Sequence, residues 1–395
     1  MNTKSILLIL LIITSITGCN NRVDKTTQES DSPDAIIQKV VGHFFEKHNN
    51  FSTQKDAWGG YTMDITFEAM LFYDLHTGKN LYTGTVSDIM KLRKREPSDT
   101  VSYRSQPFCS YNYALLKATG NDDYINPYIS ETVRMMKEVK RTSEGAIQLH
   151  HKDKTSEGDY VLIDYIQEYC SRVARAGSLK GDTLFFKESI DQFKIYRSLL
   201  RNPETGLYSQ GRGWLPDTTE LSPGAWSRGH GWLMRGIVPA MEAVPFQSSY
   251  YYRLQTALKE LADALLKVQD ENGMWHQLLH LSFDKSYPET SGTGMIAYNL
   301  AVAYKKGFLK DEKYRDAALL SANELKKYIT DDGVVLGTCK GPGPLRSIEN
   351  YLNNPAEPDD HHGAQAIIYG MLAEIILTEP LYKNSETHIK DRIVD

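Results

Sequence analysis

A turn that recurs about every 60 residues constrains the fold of this chain more than any other feature. Its glycines are 61, 67 and 60 residues apart, which indicates repeated supersecondary units. Each glycine follows a helical pattern, and we interpret it as the left-handed C-cap of that helix. The four copies have an acidic residue before the glycine and an apolar residue after it: Glu144-Gly145-Ala146-Ile147, Glu204-Thr205-Gly206-Leu207-Tyr208, Glu271-Asn272-Gly273-Met274-Trp275 and Asp332-Gly333-Val334-Val335.

A second set of glycines lies half a period away, four residues before an aromatic residue, at Gly78, Gly120 and Gly181. Apolar residues between the turns step by three and four, as in amphipathic helices with one buried stripe. The two sets together predict twelve helices in two layers. The outer helices are expected near 33–48, 80–95, 122–140, 183–199, 250–269 and 312–329, and the inner ones near 62–76, 108–118, 162–175, 228–244, 291–305 and 361–377.

Six helical hairpins of this length nearly exhaust the chain, and closing them into a ring would bury both terminal hairpins. The expected fold is therefore all-α, an (α/α)6 toroid or six-hairpin barrel. An open solenoid is the alternative, but it would need polar capping repeats, which the sequence does not contain. Because no Pro/Gly-rich linker divides the helical region, we expect a single domain over residues 32–395.

The N-terminal segment has the pattern of an export signal. Lys4 precedes an apolar run from Ile6 to Ile13, and Ile16-Thr17-Gly18-Cys19 follows it. This pattern predicts a lipoprotein signal peptide over residues 1–18, with lipidation of Cys19 and a flexible polar tether over 19–31. The protein would then be exported and membrane-anchored, on the periplasmic face or the cell surface. An ordinary signal peptide with an incidental cysteine is the alternative.

Charge and cysteine usage exclude several classes of protein. The net charge is −5 and Lys and Arg are scattered, so a nucleic-acid partner is not expected. Once Cys19 is set aside, Cys109, Cys170 and Cys339 are an odd number at long spacings, which argues against a disulfide framework or a zinc site. The pairs His150-His151 and His361-His362 lack the i, i+4 spacing of helical metal ligands, so no metal site is predicted.

The phase of the repeat assigns every segment between an outer helix and the following inner helix to one rim of the toroid. Unusual polar and aromatic residues concentrate in these segments, whereas the opposite loops are short and plainly polar. This asymmetry predicts that one mouth binds a ligand. The candidate site residues are Asp164, Tyr208, Gln210, Trp226, Arg228, His230, Trp232, Trp275, His276 and Glu289.

Two of these segments are suited to chemistry. Asp164 stands among large apolar residues at the start of an inner helix, where burial would raise its pKa toward neutrality, as an acid–base group requires. An N-cap or a paired core carboxylate is the alternative. In the stretch from Trp226 to Trp232, Arg228 offers a planar fork for a carboxylate and the indoles offer stacking surfaces for sugar rings. Its two glycines would allow close backbone approach; a helix start packed by two Trp is the alternative.

Several motifs in order along residues 58–377 resemble glycoside hydrolase family 105, the unsaturated rhamnogalacturonyl and uronyl hydrolases, and its neighbour family 88, the unsaturated glucuronyl hydrolases. They are Arg141-Thr-Ser-Glu-Gly145, the apolar-flanked Asp164, Pro203-Glu-Thr-Gly-Leu-Tyr208, Trp226-Ser-Arg-Gly-His-Gly-Trp232, Gly273-Met-Trp-His-Gln277 and Tyr287-Pro-Glu-Thr-Ser291.

The resemblance implies an acidic oligosaccharide substrate with a 4,5-unsaturated uronic acid at its non-reducing end. By the same resemblance, Asp164 would protonate the double bond and then activate water. Trp226, Arg228 and Trp232 would frame the unsaturated ring and its carboxylate, and no metal or organic cofactor would be needed.

Two positions depart from the family pattern. The stretch from Tyr103 to Ser110 contains no acid where family members usually have an Asp, and Ser209-Gln210 follows the Gly-Leu-Tyr turn where they have a His. Two other functions therefore stay open. One is a conventional glycosidase or a polysaccharide lyase acting on intact acidic glycans; a glycosidase of this kind needs a second carboxylate, for which Glu289 is the candidate. The other is a non-catalytic glycan-binding lipoprotein.

Overall fold

The computed structural model describes residues 32–48, 61–92, 110–148 and 160–380. Within these ranges it contains thirteen α-helices: α1 (Pro33–Lys47), α2 (Tyr61–Thr77), α3 (Thr83–Leu92), α4 (Ser110–Thr119), α5 (Ile125–Glu138), α6 (Tyr165–Lys180), α7 (Thr183–Leu200), α8 (Ser227–Ala243), α9 (Ser249–Leu266), α10 (Thr290–Lys305), α11 (Glu312–Leu325), α12 (Ile348–Leu352) and α13 (His362–Thr378). Short 3-10 turns at Asp122–Tyr124 and Lys326–Tyr328 adjoin α5 and α11.

Six very short strands in the described ranges form three antiparallel pairs. They are β1 (Lys140–Arg141) with β2 (Ile147–Gln148), β3 (Val161–Leu162) with β4 (Gly211–Arg212), and β5 (Thr338–Cys339) with β6 (Ala356–Glu357). All six strands lie in segments that lead from an outer helix to the following inner helix.

The long helices alternate between two layers, as predicted. Helices α2, α4, α6, α8, α10 and α13 form the inner ring, and the last of them, α13, contacts both α1 and α2. The final hairpin therefore packs against the first one, and the predicted (α/α)6 toroid is confirmed. Inner helices α10 and α13 are buried around nearly their whole circumference, because neighbours surround them, whereas outer helices such as α9 bury one stripe.

Small residues set the spacing of the inner ring around α10. A methyl group at Gly292 would lie 2.0 Å from Ser227 Oγ of α8, and one at Gly294 would lie 2.1 Å from the carbonyl oxygen of Ala366 of α13. Neither position has room for a side chain, so glycine is what allows α10 to pack this closely against both neighbours.

The recurring glycines have the predicted backbone conformation but not the predicted position. Gly145, Gly206, Gly273 and Gly333 all have positive φ, between 78° and 99°. The C-cap interpretation is wrong, because α9 ends at Leu266 and Gly273 lies further on, in a tight turn closed by a bridge between Gln269 and Trp275. A left-handed C-cap is found instead in the second set, where Gly181 ends α6. Periodicity cannot separate a helix end from a short hairpin directly after it.

Several predictions fall outside the described residues: the signal peptide, Cys19 and the tether of residues 19–31, the pair His150-His151, and the acid-free stretch from Tyr103 to Cys109. None of the helices in the part of the chain that the structure describes is long and apolar enough to cross a bilayer.

Candidate active site

Asp164 lies between β3 and α6, at the N-terminus of an inner helix. Its side chain makes no capping hydrogen bond to α6, so the N-cap interpretation is not supported. Its Oδ2 is buried and has no hydrogen-bond partner among the residues that the structure describes. Burial raises the pKa of Asp164 to about 7, although the nearby positive charge of Arg228 acts in the opposite direction. The carboxyl can therefore hold or release a proton near neutral pH.

Close helix packing brings Arg228 toward Asp164. A methyl group at Gly229 would lie 2.8 Å from the side chain of Ile163, and one at Gly231 would lie 2.8 Å from Met295. The two glycines thus allow the close backbone approach that the sequence indicated. Gly229 packs against Ile163, and Gly231 packs against Met295 of helix α10. Because Ile163 directly precedes Asp164, this contact fixes the start of α8 beside the carboxyl.

Arg228 is buried, with only 1% of its surface exposed, and its guanidinium is held in one orientation by hydrogen bonds. Nη1 donates to Ser291 Oγ at 3.0 Å and to the carbonyl oxygen of Cys339 at 2.9 Å. The group also lies over the ring of Trp226, 4.6 Å from its centroid. The positive charge of the guanidinium acts on Asp164, and the donors other than Nη1 suit recognition of a carboxylate.

A loop after β5 crosses the mouth beside this arginine. A methyl group at Gly341 would lie 2.9 Å from Arg228 Nη2, so the backbone covers the guanidinium. Gln210 Nε2 donates to the carbonyl oxygen of Pro342 at 2.8 Å, and Gln210 Oε1 accepts from the Tyr351 hydroxyl at 2.5 Å. Gln210, which stands near the position of the expected His, therefore anchors the loop.

A cleft of about 590 Å³ on the loop is lined by Trp214 and three asparagines.

Tyr208 and His230 connect the rim to helix α8. His230 is fully buried, donates from Nδ1 to the carbonyl oxygen of Trp226 at 2.8 Å and accepts at Nε2 from the backbone N–H of Tyr208 at 2.9 Å. Burial lowers its pKa to about 4, which keeps the imidazole neutral and suited to this donor–acceptor role. Both residues were predicted to bind substrate, and the contacts in the structure join the backbone of Tyr208 to the imidazole of His230.

The same holds for Trp275 and His276. Trp275 is fully buried, and its indole N–H donates to the carbonyl oxygen of Leu265 at 2.8 Å. His276 is buried, with Nε2 at 2.9 Å from Asp270 Oδ2 and Nδ1 in contact with the carbonyl oxygen of Ser286. Both side chains stabilise the turn before α10. Their hydrogen bonds go to Leu265, Asp270 and Ser286 and not to Asp164.

Glu289 is the N-cap of α10. Its carboxylate accepts from the backbone N–H groups of Ser291 at 3.0 Å, Gly292 at 2.7 Å and Cys339 at 3.0 Å, and the residue is fully buried. Because both oxygens are engaged in this way, Glu289 does not offer a free second carboxylate opposite Asp164. The conventional-glycosidase alternative loses its candidate residue.

Trp232 lies one turn after Arg228 along α8 and contacts His362, which was not among the predicted binding residues. The ring of His362 meets it edge to face, with centroids 5.9 Å apart, and His362 Nε2 is 3.0 Å from the Tyr61 hydroxyl. Burial lowers the pKa of His362 well below its usual value, so the imidazole is neutral. Its position at the start of the last inner helix, directly after the N-cap His361, was a usable signal, because Asp164, Trp226 and Glu289 stand at the N-cap positions of their inner helices.

The mouth thus brings together Asp164, Trp226, Arg228 and Trp232, with His362 beside them. Within the described ranges, no group of three or more His, Cys, Asp or Glu side chains is arranged to hold a metal ion. What the mouth offers is a carboxyl of near-neutral pKa, an oriented guanidinium and aromatic faces. These groups suit proton transfer to a bound acidic sugar.

A helical toroid with this mouth defines the class of the protein, a six-hairpin glycoside hydrolase. The profile of glycosyl hydrolase family 88 matches residues 36–376, and the chain belongs to that family. The resemblance predicted from the motifs is confirmed.

Individual proteins similar to this chain agree with the assignment. Unsaturated rhamnogalacturonyl hydrolase YesR of Bacillus subtilis is 25% identical over 271 residues, which are 67% of this chain and 74% of that protein. A crystal structure of a possible member of family GH105 from Salmonella enterica has a TM-score of 0.73 at 23% identity, over 90% of this chain and 96% of the other. A polysaccharide lyase has a TM-score of 0.66 at 16% identity, covering 89% of this chain and 98% of its own. Likeness at this level shows the fold alone.

Proposed function

We propose that this glycoside hydrolase acts on oligosaccharides that carry a 4,5-unsaturated uronic acid at the non-reducing end, and that Asp164 catalyses hydration of the double bond. The observation that carries the proposal is the buried, unpartnered Oδ2 of Asp164, with its pKa near 7, beside the oriented Arg228. YesR, named an unsaturated rhamnogalacturonyl hydrolase, supports the substrate class.

In the proposed reaction, the protonated carboxyl of Asp164 donates its proton to C4 of the unsaturated ring, and positive charge develops at C5 and the ring oxygen. The Asp164 carboxylate then accepts a proton from a water molecule as its oxygen bonds to C5. The resulting C5 hemiketal opens to a ketone. C1, left as a hemiacetal, then releases the rest of the chain. One water molecule is consumed and Asp164 returns to its protonated form.

Arg228 and the indoles would position the ring during this sequence. The donors of Arg228 not used by Ser291 and Cys339 suit the C6 carboxylate of the uronide, and Trp226 and Trp232 offer aromatic faces nearby. Because C5 bears both the carboxylate and half of the double bond, binding the carboxylate would fix the distance between C4 and Asp164.

The test follows the ultraviolet absorbance of the conjugated double bond during incubation with lyase-generated unsaturated oligosaccharides. We expect the absorbance to fall and the rate to decline as the pH rises through about 7, because Asp164 must begin protonated. The same glycans without the unsaturated end serve as controls. Cleavage of these controls, with the unsaturated ends untouched, would contradict the proposal and favour a lyase or conventional glycosidase.

We also propose that the protein is an exported lipoprotein anchored to a membrane through Cys19. The proposal is supported by the apolar run from Ile6 to Ile13 and the small residues before the cysteine. Cells producing the chain are labelled with a palmitate analogue and fractionated. Wild-type protein is expected in the membrane fraction with label, and Cys19→Ser without it; label in both variants would contradict the anchor site.

A further inference from the structure

A second cavity, of about 840 Å³, lies between the inner helices and extends from the first turn of α6, at Gln167 and Glu168, to the end of the toroid opposite Asp164. The C-terminal halves of the inner helices form much of its wall, and the exposed ring of Phe246, in the turn after α8, stands at its edge. Arg175, which lines it, comes eleven residues after Asp164 along α6, a distance of about 16 Å along the helix axis. The buried ion pair of Arg235 and Glu68 lies on its wall.

The lining of this far-end cavity is unbalanced in charge. It contains six Lys or Arg side chains and three Glu side chains. Glu68 pairs with Arg235, and Glu242 pairs with Lys306 at 3.0 Å. Glu168 accepts a hydrogen bond from Gln167, and burial raises its pKa well above the usual range. Cationic side chains thus outnumber carboxyl groups by six to three along the lining.

Arg175 is the clearest sign of this excess. The residue is only 4% exposed, and its guanidinium lies over the ring of Tyr113, 4.4 Å from the centroid. It has no hydrogen bond or ion pair with any residue in the described ranges. A guanidinium cannot lose its charge in a protein, and burying it without a hydrogen-bonded partner is unfavourable. Glu68 and Glu242 act on Arg175 electrostatically but form no ion pair with it. An anion in the cavity would supply a directly bonded partner.

A second guanidinium on the same wall also has an unused donor. Nη1 of Arg235 has no hydrogen-bond partner in the described part of the chain, although the residue is buried. Next to it, the rings of Phe72 and Tyr298 stack with centroids 6.0 Å apart and give the wall an apolar portion. The volume is that of an ordinary small-molecule site.

We propose that the far-end cavity is a second binding site, for a small molecule that bears a carboxylate or a phosphate group. The planar forks of Arg175 and Arg235 match both groups, and the aromatic wall suits a compact ring or chain attached to them. The proposed anion would be held away from the reacting carboxyl, because Arg175 lies about three helical turns beyond Asp164 and Arg235 about two turns beyond Arg228.

Calorimetry on the whole chain tests the proposal with three probes: inorganic phosphate, galacturonate and neutral galactose. We expect phosphate or galacturonate to bind and galactose not to bind; which anion binds more tightly separates a phosphate site from a carboxylate site. Arg175→Gln should weaken the binding by about tenfold or more. The matched variant Arg228→Gln, which removes the guanidinium proposed to hold a uronide at the mouth, should leave phosphate binding unchanged. Galacturonate binding that remains in Arg228→Gln and is weakened in Arg175→Gln reports the far-end cavity.

Absence of binding by both anions overturns the proposal, and so does binding that Arg228→Gln abolishes and Arg175→Gln spares. Should Arg175→Gln fail to fold, Arg175→Lys keeps the charge and removes only the fork, and binding weakened severalfold is then expected. Thermal unfolding with and without phosphate gives a second measure. A stabilisation by phosphate that is equal in wild type and Arg175→Lys would assign the anion to another part of the molecule.

Discussion

Asp164 and Glu289 stand at equivalent positions, at the starts of inner helices α6 and α10, yet their surroundings differ completely. Three backbone N–H groups donate to the Glu289 carboxylate, whereas Asp164 has a buried oxygen without a partner in the described residues. Burial without a hydrogen-bond partner favours the protonated form of a carboxyl and raises the pKa of Asp164. The difference separates a carboxyl that holds the toroid together from one that can carry a proton.

The largest effect is expected for Asp164→Asn, which keeps the shape of the side chain and removes the transferable proton. Turnover of unsaturated oligosaccharides should fall about a thousandfold, with a melting temperature no lower than that of wild type, as for loss of a general acid–base group. Initial rates by ultraviolet absorbance and thermal unfolding are the measurements. A variant that retains more than a tenth of the activity would show that Asp164 is not the proton donor.

The same variant should reveal the cost of ionising Asp164. The folded protein keeps a proton that the unfolded chain loses above about pH 4, so wild-type stability should fall relative to Asp164→Asn as the pH rises from about 4 to about 7. The gap should reach at most about 4 kcal/mol above pH 7. Urea unfolding at pH 4, 6 and 8 measures it. Parallel stability curves for the two proteins would mean that the pKa of Asp164 is not raised.

Glu289→Gln should act in the opposite way, through stability. The amide group turns a donor toward backbone donors and loses charge-assisted hydrogen bonds, so the free energy of unfolding should fall by about 2–3 kcal/mol at pH 7. Urea unfolding is the measurement, and Asp164→Asn at the same pH is the matched control. Equal or higher stability of Glu289→Gln, with strongly reduced turnover, would reverse the roles assigned to the two carboxyls.

The smallest effect is expected for Arg228→Lys, which keeps the charge but not the fork. One lysine cannot replace both the contacts to Ser291 and Cys339 and the contact proposed for the uronide, so KM should rise about tenfold while kcat changes less. Steady-state kinetics on unsaturated oligosaccharides is the measurement. A fall in kcat at constant KM would instead mean that Arg228 acts only after the substrate is bound.

Much of the fold could be predicted because its signals are local. Helix bounds such as 183–199 differ by only a residue from the observed Thr183–Leu200, since apolar periodicity and glycine turns are properties of short segments. The side of the toroid that carries the mouth followed from the order of outer and inner helices. The error over Gly273 arose from a hairpin that differs from a helix end only in hydrogen bonding.

The sequence alone determined that six hairpins form a ring, and it predicted that Asp164, Trp226 and Arg228 lie on one rim. Only the tertiary structure decided which rim residues face the mouth and which support it. The partners of His230 and Glu289 include Tyr208 and Cys339, 22 and 50 residues away, and those of Gln210 are more than 130 residues away. A side chain's role here depends on whether packing brings such a partner within hydrogen-bond distance, which no local pattern encodes.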